Sequence, residues 1–261
     1  MRRGNIIWGV ILVLVGVLLL AGEMGIRLPN GKSLMSLFWP ILLIGFGAWV
    51  LIGVFIRRNI ETEATGIDLQ GAREAAVRIS HGAGEMRIHG GAGGNELVRG
   101  TFMGGLDHKA SLNGDKLDVK MRPADNFLEF PFFIGHNQLD WDVALNSSIP
   151  MTLDMNLGAN KSVIDLRDMK VTDIKFKSGA NDTDLTLPAQ GRLNADFEVG
   201  AASLTLIVPE GVAIRVRASI GAGDIKVDRS RFPSDVSPDF ETAANAVDIK
   251  IKGGACSVRV K

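Results

Sequence analysis

The chain has 261 residues, enough for one sizeable domain with appendages. Its 29 basic and 29 acidic side chains balance to a net charge of zero, so no global field draws it to nucleic acid. The single cysteine, Cys256, excludes an intramolecular disulfide.

Charge is spread unevenly. Ile6 to Gly22 is an uncharged apolar run of 17 residues behind Arg2 and Arg3, and Leu34 to Ile56 is a second run of 23 ahead of Arg57 and Arg58. At helical rise they span roughly 26 and 35 Å, against a bilayer core of about 30 Å. Trp8 and Trp39 lie near run ends, where aromatic rings favour the membrane interface. The expectation is a two-span helical hairpin over residues 1–58. A cleaved signal peptide is the rival for the first run, but Ala21-Gly22-Glu23-Met24 makes a poor cleavage site. The outer flanks hold Arg2, Arg3, Arg57 and Arg58 while the loop holds only Arg27 and Lys32, so the positive-inside rule puts both termini, and the large domain, in the cytoplasm. Gly31-Lys32-Ser33 in that loop lacks the spacing and the preceding strand of a phosphate-binding loop, and reads as a turn.

Residues 59–66 read as a polar linker and residues 67–261 as an all-β domain. Ala76–Ile79, a turn at His81-Gly82-Ala83-Gly84, and Glu85–Ile88 form a strand, turn, strand phrase. Leu97–Met103 and Leu117–Met121 are further strands. The phrase then returns with Gly158-Ala159-Asn160, Gly179-Ala180-Asn181, Gly200-Ala201-Ala202 and Gly221-Ala222-Gly223, at a constant 21-residue period. Such a period marks stacked repeats, a solenoid-like architecture in which neighbours bury what one repeat cannot.

Superposing the copies gives apolar columns with strand periodicity: Leu153, Ile174, Ala195, Val216 before the glycine, and Ile164, Leu185, Leu206, Val227 after it. Asp154, Lys175, Asp196 and Arg217 alternate in sign, which favours stacking of successive copies in register. The turn glycines Gly82, Gly158, Gly179, Gly200 and Gly221, with Asn160 and Asn181, are read as supplying positive φ. Pro188 and Pro209 end the second strands. Arg229–Phe240 is an insertion before a last strand pair, Val247–Ile251 and Ser257–Val260.

Asn126–Trp141 interrupts the pattern with Phe127, Leu128, Phe130, Phe132, Phe133, Ile134 and Trp141. These residues either fold over an open end of the stack, the favoured reading, or form an exposed interaction surface.

No catalytic constellation, cofactor motif or metal-ligand spacing emerges. His81, His89, His108 and His136 pair neither with one another nor with Cys256 at ligand spacing, and the two near glycine turns read as surface residues. Cys256, after Gly253-Gly254-Ala255, falls where the phrase expects a small core or turn residue and has no base nearby in sequence. Asn146, Asn160 and Asn181 begin glycosylation-like triplets, which carry no weight in a domain read as cytoplasmic.

Phe38-Trp39-Pro40-Ile41-Leu42-Leu43-Ile44-Gly45-Phe46-Gly47 resembles the transmembrane hairpin of the bacterial LiaI/LiaF-like group. Leu153–Leu157 with Gly158-Ala159-Asn160 and Ile164-Asp165-Leu166 resembles the toast-rack domain, related to the carboxy-terminal domain of LiaF. Gly179-Ala180-Asn181 with Leu185-Thr186-Leu187-Pro188, and Gly200-Ala201-Ala202 with Val208-Pro209-Glu210-Gly211, extend that resemblance, which β-repeat domains described as candidate adhesins share. The resemblance implies a bacterial inner-membrane protein without enzymatic activity, held in the lipid bilayer. It further implies a partner in the cell-envelope stress response such as a membrane sensor kinase. A self-assembling scaffold or an adhesin-like structural protein is the alternative, with self-association in place of a signalling partner.

Overall fold

The computed structural model describes residues 62–124 and 139–261, together with Pro40, Leu43, Ile44 and Gly47, which are helical. The two apolar runs lie almost wholly outside the described residues, and among those described no helix is long and apolar enough to cross a membrane. Among the described residues from Thr62 onward every regular element is a strand, as the alternating pattern requires, and these strands join in one sheet of thirteen.

The core of the architecture is a parallel stack of bent rungs. The first is β2 (Glu74–Gly90) and the second β7 (Met151–Asp165). The third is β8 (Val171–Ser178) with β9 (Asp182–Thr186), and the fourth β10 (Arg192–Val199) with β11 (Ser203–Ile207). Two further rungs are β12 (Ala213–Val227) and β13 (Ala246–Val260). The first arms align Val77, Leu153, Ile174 and Ala195 as direct partners, and the second arms align Ile88, Ile164, Leu185 and Leu206. These apolar columns are the repeat columns of the sequence, and both arms close on a single hydrophobic core. Phe176 and Phe197, neighbours in one column, pack with ring centroids 5.8 Å apart.

The order of the last two rungs departs from the repeat. Ala195 pairs with Ile249, and Ile249 with Val216, so β13 lies between β10 and β12 although it follows both in the chain. The two strands differ in bulk where they pair: Ile251 and Cys256 of β13 stand against Ala218 and Gly223 of β12. The bulkier strand is the one covered on both sides, with Val247, Ile249, Ile251, Val258 and Val260 buried while Ala218, Ser219 and Ala222 of β12 are exposed. The outer charge column is thereby corrected too: Lys250 stands between Asp196 and Arg217. Lys250 lies 3.7 Å from Asp196, and Arg217 instead pairs with Asp248. At the other end Arg78 meets Asp154 at 2.9 Å.

Beyond the first rung each arm adds one more parallel strand, and antiparallel strands follow. The first arm of β2 is followed by β5 (Lys116–Pro123) and then β4 (Leu106–Asn113). Its second arm is followed by β6 (Trp141–Leu145), β3 (Glu96–Met103) and β1 (Thr62–Asp68). β1 therefore begins inside the segment read as a linker, because Thr62–Asp68 pairs along β3 and hides Ile67. β4 and β6 carry no repeat phrase, which is why the pattern missed them.

The strand order is open to a direct test. Asp196→Cys with Lys250→Cys, in a Cys256→Ala background, should form a disulfide on mild oxidation, since neighbouring strands run about 4.8 Å apart. Asp196→Cys with Arg217→Cys should not. The reverse result would restore the order of the sequence repeat.

Candidate functional site

The bends are where the rungs come closest. Gly82, Gly158, Gly179 and Gly200 form one column, and a Cβ built on Gly200 would lie 2.7 Å from the carbonyl oxygen of Gly179. On Gly179 it would lie 3.1 Å from the carbonyl oxygen of Gly158, and on Gly158 it would overlap that of Gly82. None of Gly82, Gly158, Gly179, Gly200 and Gly221 has a positive φ, and neither do Asn160 and Asn181. The expected left-handed turn is thus corrected to a requirement for close approach. The ladder runs on through the bend instead of breaking there: Gly200 N–H donates to Ser178 at 2.9 Å and Ala201 N–H to Gly179 at 2.9 Å. Positive φ is needed two residues later, at Gly84 and Gly223.

Between Gly200 and Gly221 the column holds Gly254, whose N-terminal neighbour Gly253 pairs with both Val199 and Ile220. The signal for it was present in Gly254-Ala255-Cys256, a copy of the phrase out of period. Cys256 is buried, and burial raises its thiol pKa.

Above this glycine floor lies an open trough of about 900 Å³, flanked by Asn156, Lys177, Glu198 and Lys252. Lys177 and Glu198 pair at 2.8 Å on adjacent rungs, and that contact raises the lysine pKa and lowers that of the glutamate. The trough offers peptide groups and an alternating charge row, a surface suited to binding an extended segment and without a nucleophile and base in reach of each other.

Beneath the bends of the first three rungs the core turns polar. His81, Asn160, Ser162, Asn181 and Thr183 are all buried. Asn160 Nδ2 lies against His81 Nδ1, and Thr183 Oγ1 donates to Asn181 Oδ1. Since an amide nitrogen can only donate, His81 Nδ1 accepts and the ring is neutral. Burial pushes its pKa down to about 4, opposed by the Leu139 backbone and the Asp140 carboxylate. The histidine expected at the surface is therefore a core residue, packed 4.9 Å from the Trp141 ring.

Of the two readings given for the aromatic stretch, Trp141 follows the buried one, which corrects its assignment to a possible interaction surface: it stands 1% exposed in β6, with Phe102 edge-on at 5.0 Å. Phe127, Leu128, Phe130, Phe132, Phe133 and Ile134 lie outside the described residues, as does His136. His89 is half-exposed, with Nε2 3.0 Å from Asp142 Oδ1 and Nδ1 2.6 Å from the Gly90 carbonyl, beside the Arg99–Glu96 pair. His108 lies in β4. Among the described residues no group of three His, Cys, Asp or Glu side chains is placed to hold a metal ion.

Two predictions follow from this geometry. Gly200→Ala and Gly158→Ala should each destabilise the domain by about 1–3 kcal/mol, because the displaced group is backbone. Gly221→Ala should be near neutral, its nearest contact being 3.4 Å away; urea midpoints distinguish them. For His81, a folded pKa below the unfolded 6.5 means that the unfolded chain binds more protons between the two values. Stability should therefore be full above about pH 6.5 and fall by about 2–3 kcal/mol on going to about pH 4.5. His81→Gln should remove that component, as paired unfolding curves would register.

Comparison with known proteins agrees with the fold. A family described as the N-terminal domain of toast_rack, DUF2154, matches residues 56–207, and the LiaI-LiaF-like transmembrane region matches residues 6–51. A solved structure of a candidate cell adhesion protein from Clostridium sporogenes aligns with a TM-score of 0.67 at 16% identity, covering 77% of this chain and 98% of that one. A candidate adhesin from Parabacteroides merdae, at 11% identity over 77% of this chain and 97% of its own, reaches a TM-score of only 0.28, too low to argue from. No curated protein matches the chain.

Proposed function

The chain belongs to the toast_rack family, and with a LiaI-LiaF-like transmembrane region on the same polypeptide it is a membrane-associated protein. From that premise we propose that it is a non-enzymatic binding and regulatory protein, acting on a partner in the cell-envelope stress response. The observation that carries this reading is the joining of those two regions in one chain. The β-domain suits the role: a parallel stack pinned by glycine contacts is a stiff scaffold, and its outer face presents a row of charges and an open trough to a partner.

The partner in this reading is a membrane sensor kinase or another envelope protein, and the spans are a hairpin with both termini cytoplasmic, as the arginine flanks favour. Deletion of the gene should alter induction of an envelope-stress reporter by a cell-wall antibiotic, and fusions at Lys261 should be active with a cytoplasmic reporter and inactive with a periplasmic one. An unchanged response in every such assay would sink the regulatory role. An external terminus would instead favour an adhesin-like role. A second reading, a self-assembling scaffold, is favoured by the outer arm of β12, which has no strand beyond it among the described residues.

A further inference from the structure

The two ends of the stack are unlike. At the first rung the parallel ladder passes into antiparallel strands, ending in β4 and β1. At the last rung β12 pairs only with β13. The first arm of β12 is covered by the returning chain: Val216 N–H donates to Asp235, Ser237 N–H donates to Ile214, and Arg215 bridges Val236. Past Arg217 that cover stops. Ala218 to Val227 is exposed or half-buried throughout, and no described strand pairs with its outer side. Ile220, Ile225 and Val227 pack on the main core and remain only partly covered, so the core itself is unfinished here. This segment has no proline and only two charges, Asp224 and Lys226, which lie two apart on the outer face and pair at 3.2 Å.

The other terminal strands differ. β1 carries only acidic charges, so its self-pairing would oppose like signs. β4 is exposed along nearly its whole length, and Asp107 is already held by Arg122 at 2.6 Å.

We infer that the outer arm of β12 is a homodimer interface, pairing antiparallel with the same arm of a second copy about a two-fold axis at Ile225. In that register Asp224 of each copy faces Lys226 of the other, every charge on the edge meets its opposite, and Val227 stands across from Gly223. The contact is isologous and closes on itself, so it yields a dimer and no filament. Head-to-tail growth is blocked because the first rung is already covered by β5 and β6. Unpaired strand edges and half-covered apolar side chains are the features that such pairing satisfies. The inference rests on the scaffold reading and gives it a surface and a partner.

The test uses the full chain in detergent micelles, followed by sedimentation velocity, with circular dichroism to confirm that each variant is folded. Wild-type protein should be dimeric. Asp224→Lys and Lys226→Asp, which each place like charges opposite one another, should weaken the dimer at least tenfold, and the double exchange should recover it. Independently, Ile225→Cys in a Cys256→Ala background should cross-link across the two-fold axis on oxidation. A monomeric wild type without that cross-link overturns both this interface and the scaffold reading. A dimer indifferent to either reversal, or one lost in both and not recovered in the exchange, overturns the edge contact alone and leaves assembly to another surface.

Discussion

The structure depends on how closely one bend can approach the next. In a parallel stack the rungs are separated by the ladder spacing of about 4.8 Å, and a bend that keeps its hydrogen bonds must bring backbone against backbone. Gly158, Gly179 and Gly200 permit this, each resting on the carbonyl of the previous rung. With a side chain at those positions the two arms could not both stay in register, and the shared core between them would open. The constant period follows, because a rung with one residue more or less would move its glycine out of the column and turn its apolar face outward.

The second constraint is that a stack must end. Here the ends are solved by different means, and both leave marks. The first rung is covered by one more parallel strand on each arm, β5 and β6, against which antiparallel strands then pair, and beneath it sits the polar group of His81, Asn160, Ser162, Asn181 and Thr183. In that group His81 bonds Asn160 and Thr183 bonds Asn181, while Ser162 Oγ has no partner among the described residues. The far end places β13, bulkier at Ile251 and Cys256 than β12 is at the paired Ala218 and Gly223, inside and leaves β12 outermost. The chain order is sacrificed to burial, which the loop of residues 228–245 makes geometrically cheap.

Much of this was legible beforehand. The apolar columns, the stacked bends and the strand ends before Pro188 and Pro209 were all encoded in local period, and the structure reproduces their register. What local period does not encode is competition between distant segments. Nothing around Val216 tells that Ile249 will displace it beside Ala195, since that outcome depends on comparing two strands over 30 residues apart. Glycine carried an ambiguity of another kind. The same residue serves positive φ and close approach, and within the bends of the stack it is Gly84 and Gly223 that use the first. His81 was misplaced and Trp141 left between two readings for one reason: beside a turn or an aromatic run, a residue's side is set by the strand it joins, and β6 had no repeat phrase to announce it. The candidate trough was legible in part, because Asn156, Lys177 and Glu198 stand 21 residues apart in one repeat column, whereas Lys252 enters out of period between Glu198 and Ser219.

The charged outer face bears on function in a way that its energy does not. Arg78–Asp154, Lys177–Glu198 and Lys250–Asp196 join successive rungs, yet all reach solvent, where water and salt screen an ion pair and leave it little net effect on stability. The apolar columns must therefore supply the stability, and the outer face is free to change without loss of the fold. A surface decoupled from stability in this way can be tuned toward one partner while the scaffold stays constant. In the role proposed above, the determinants of partner choice would lie on the outward-facing residues of the rungs and along the last strand.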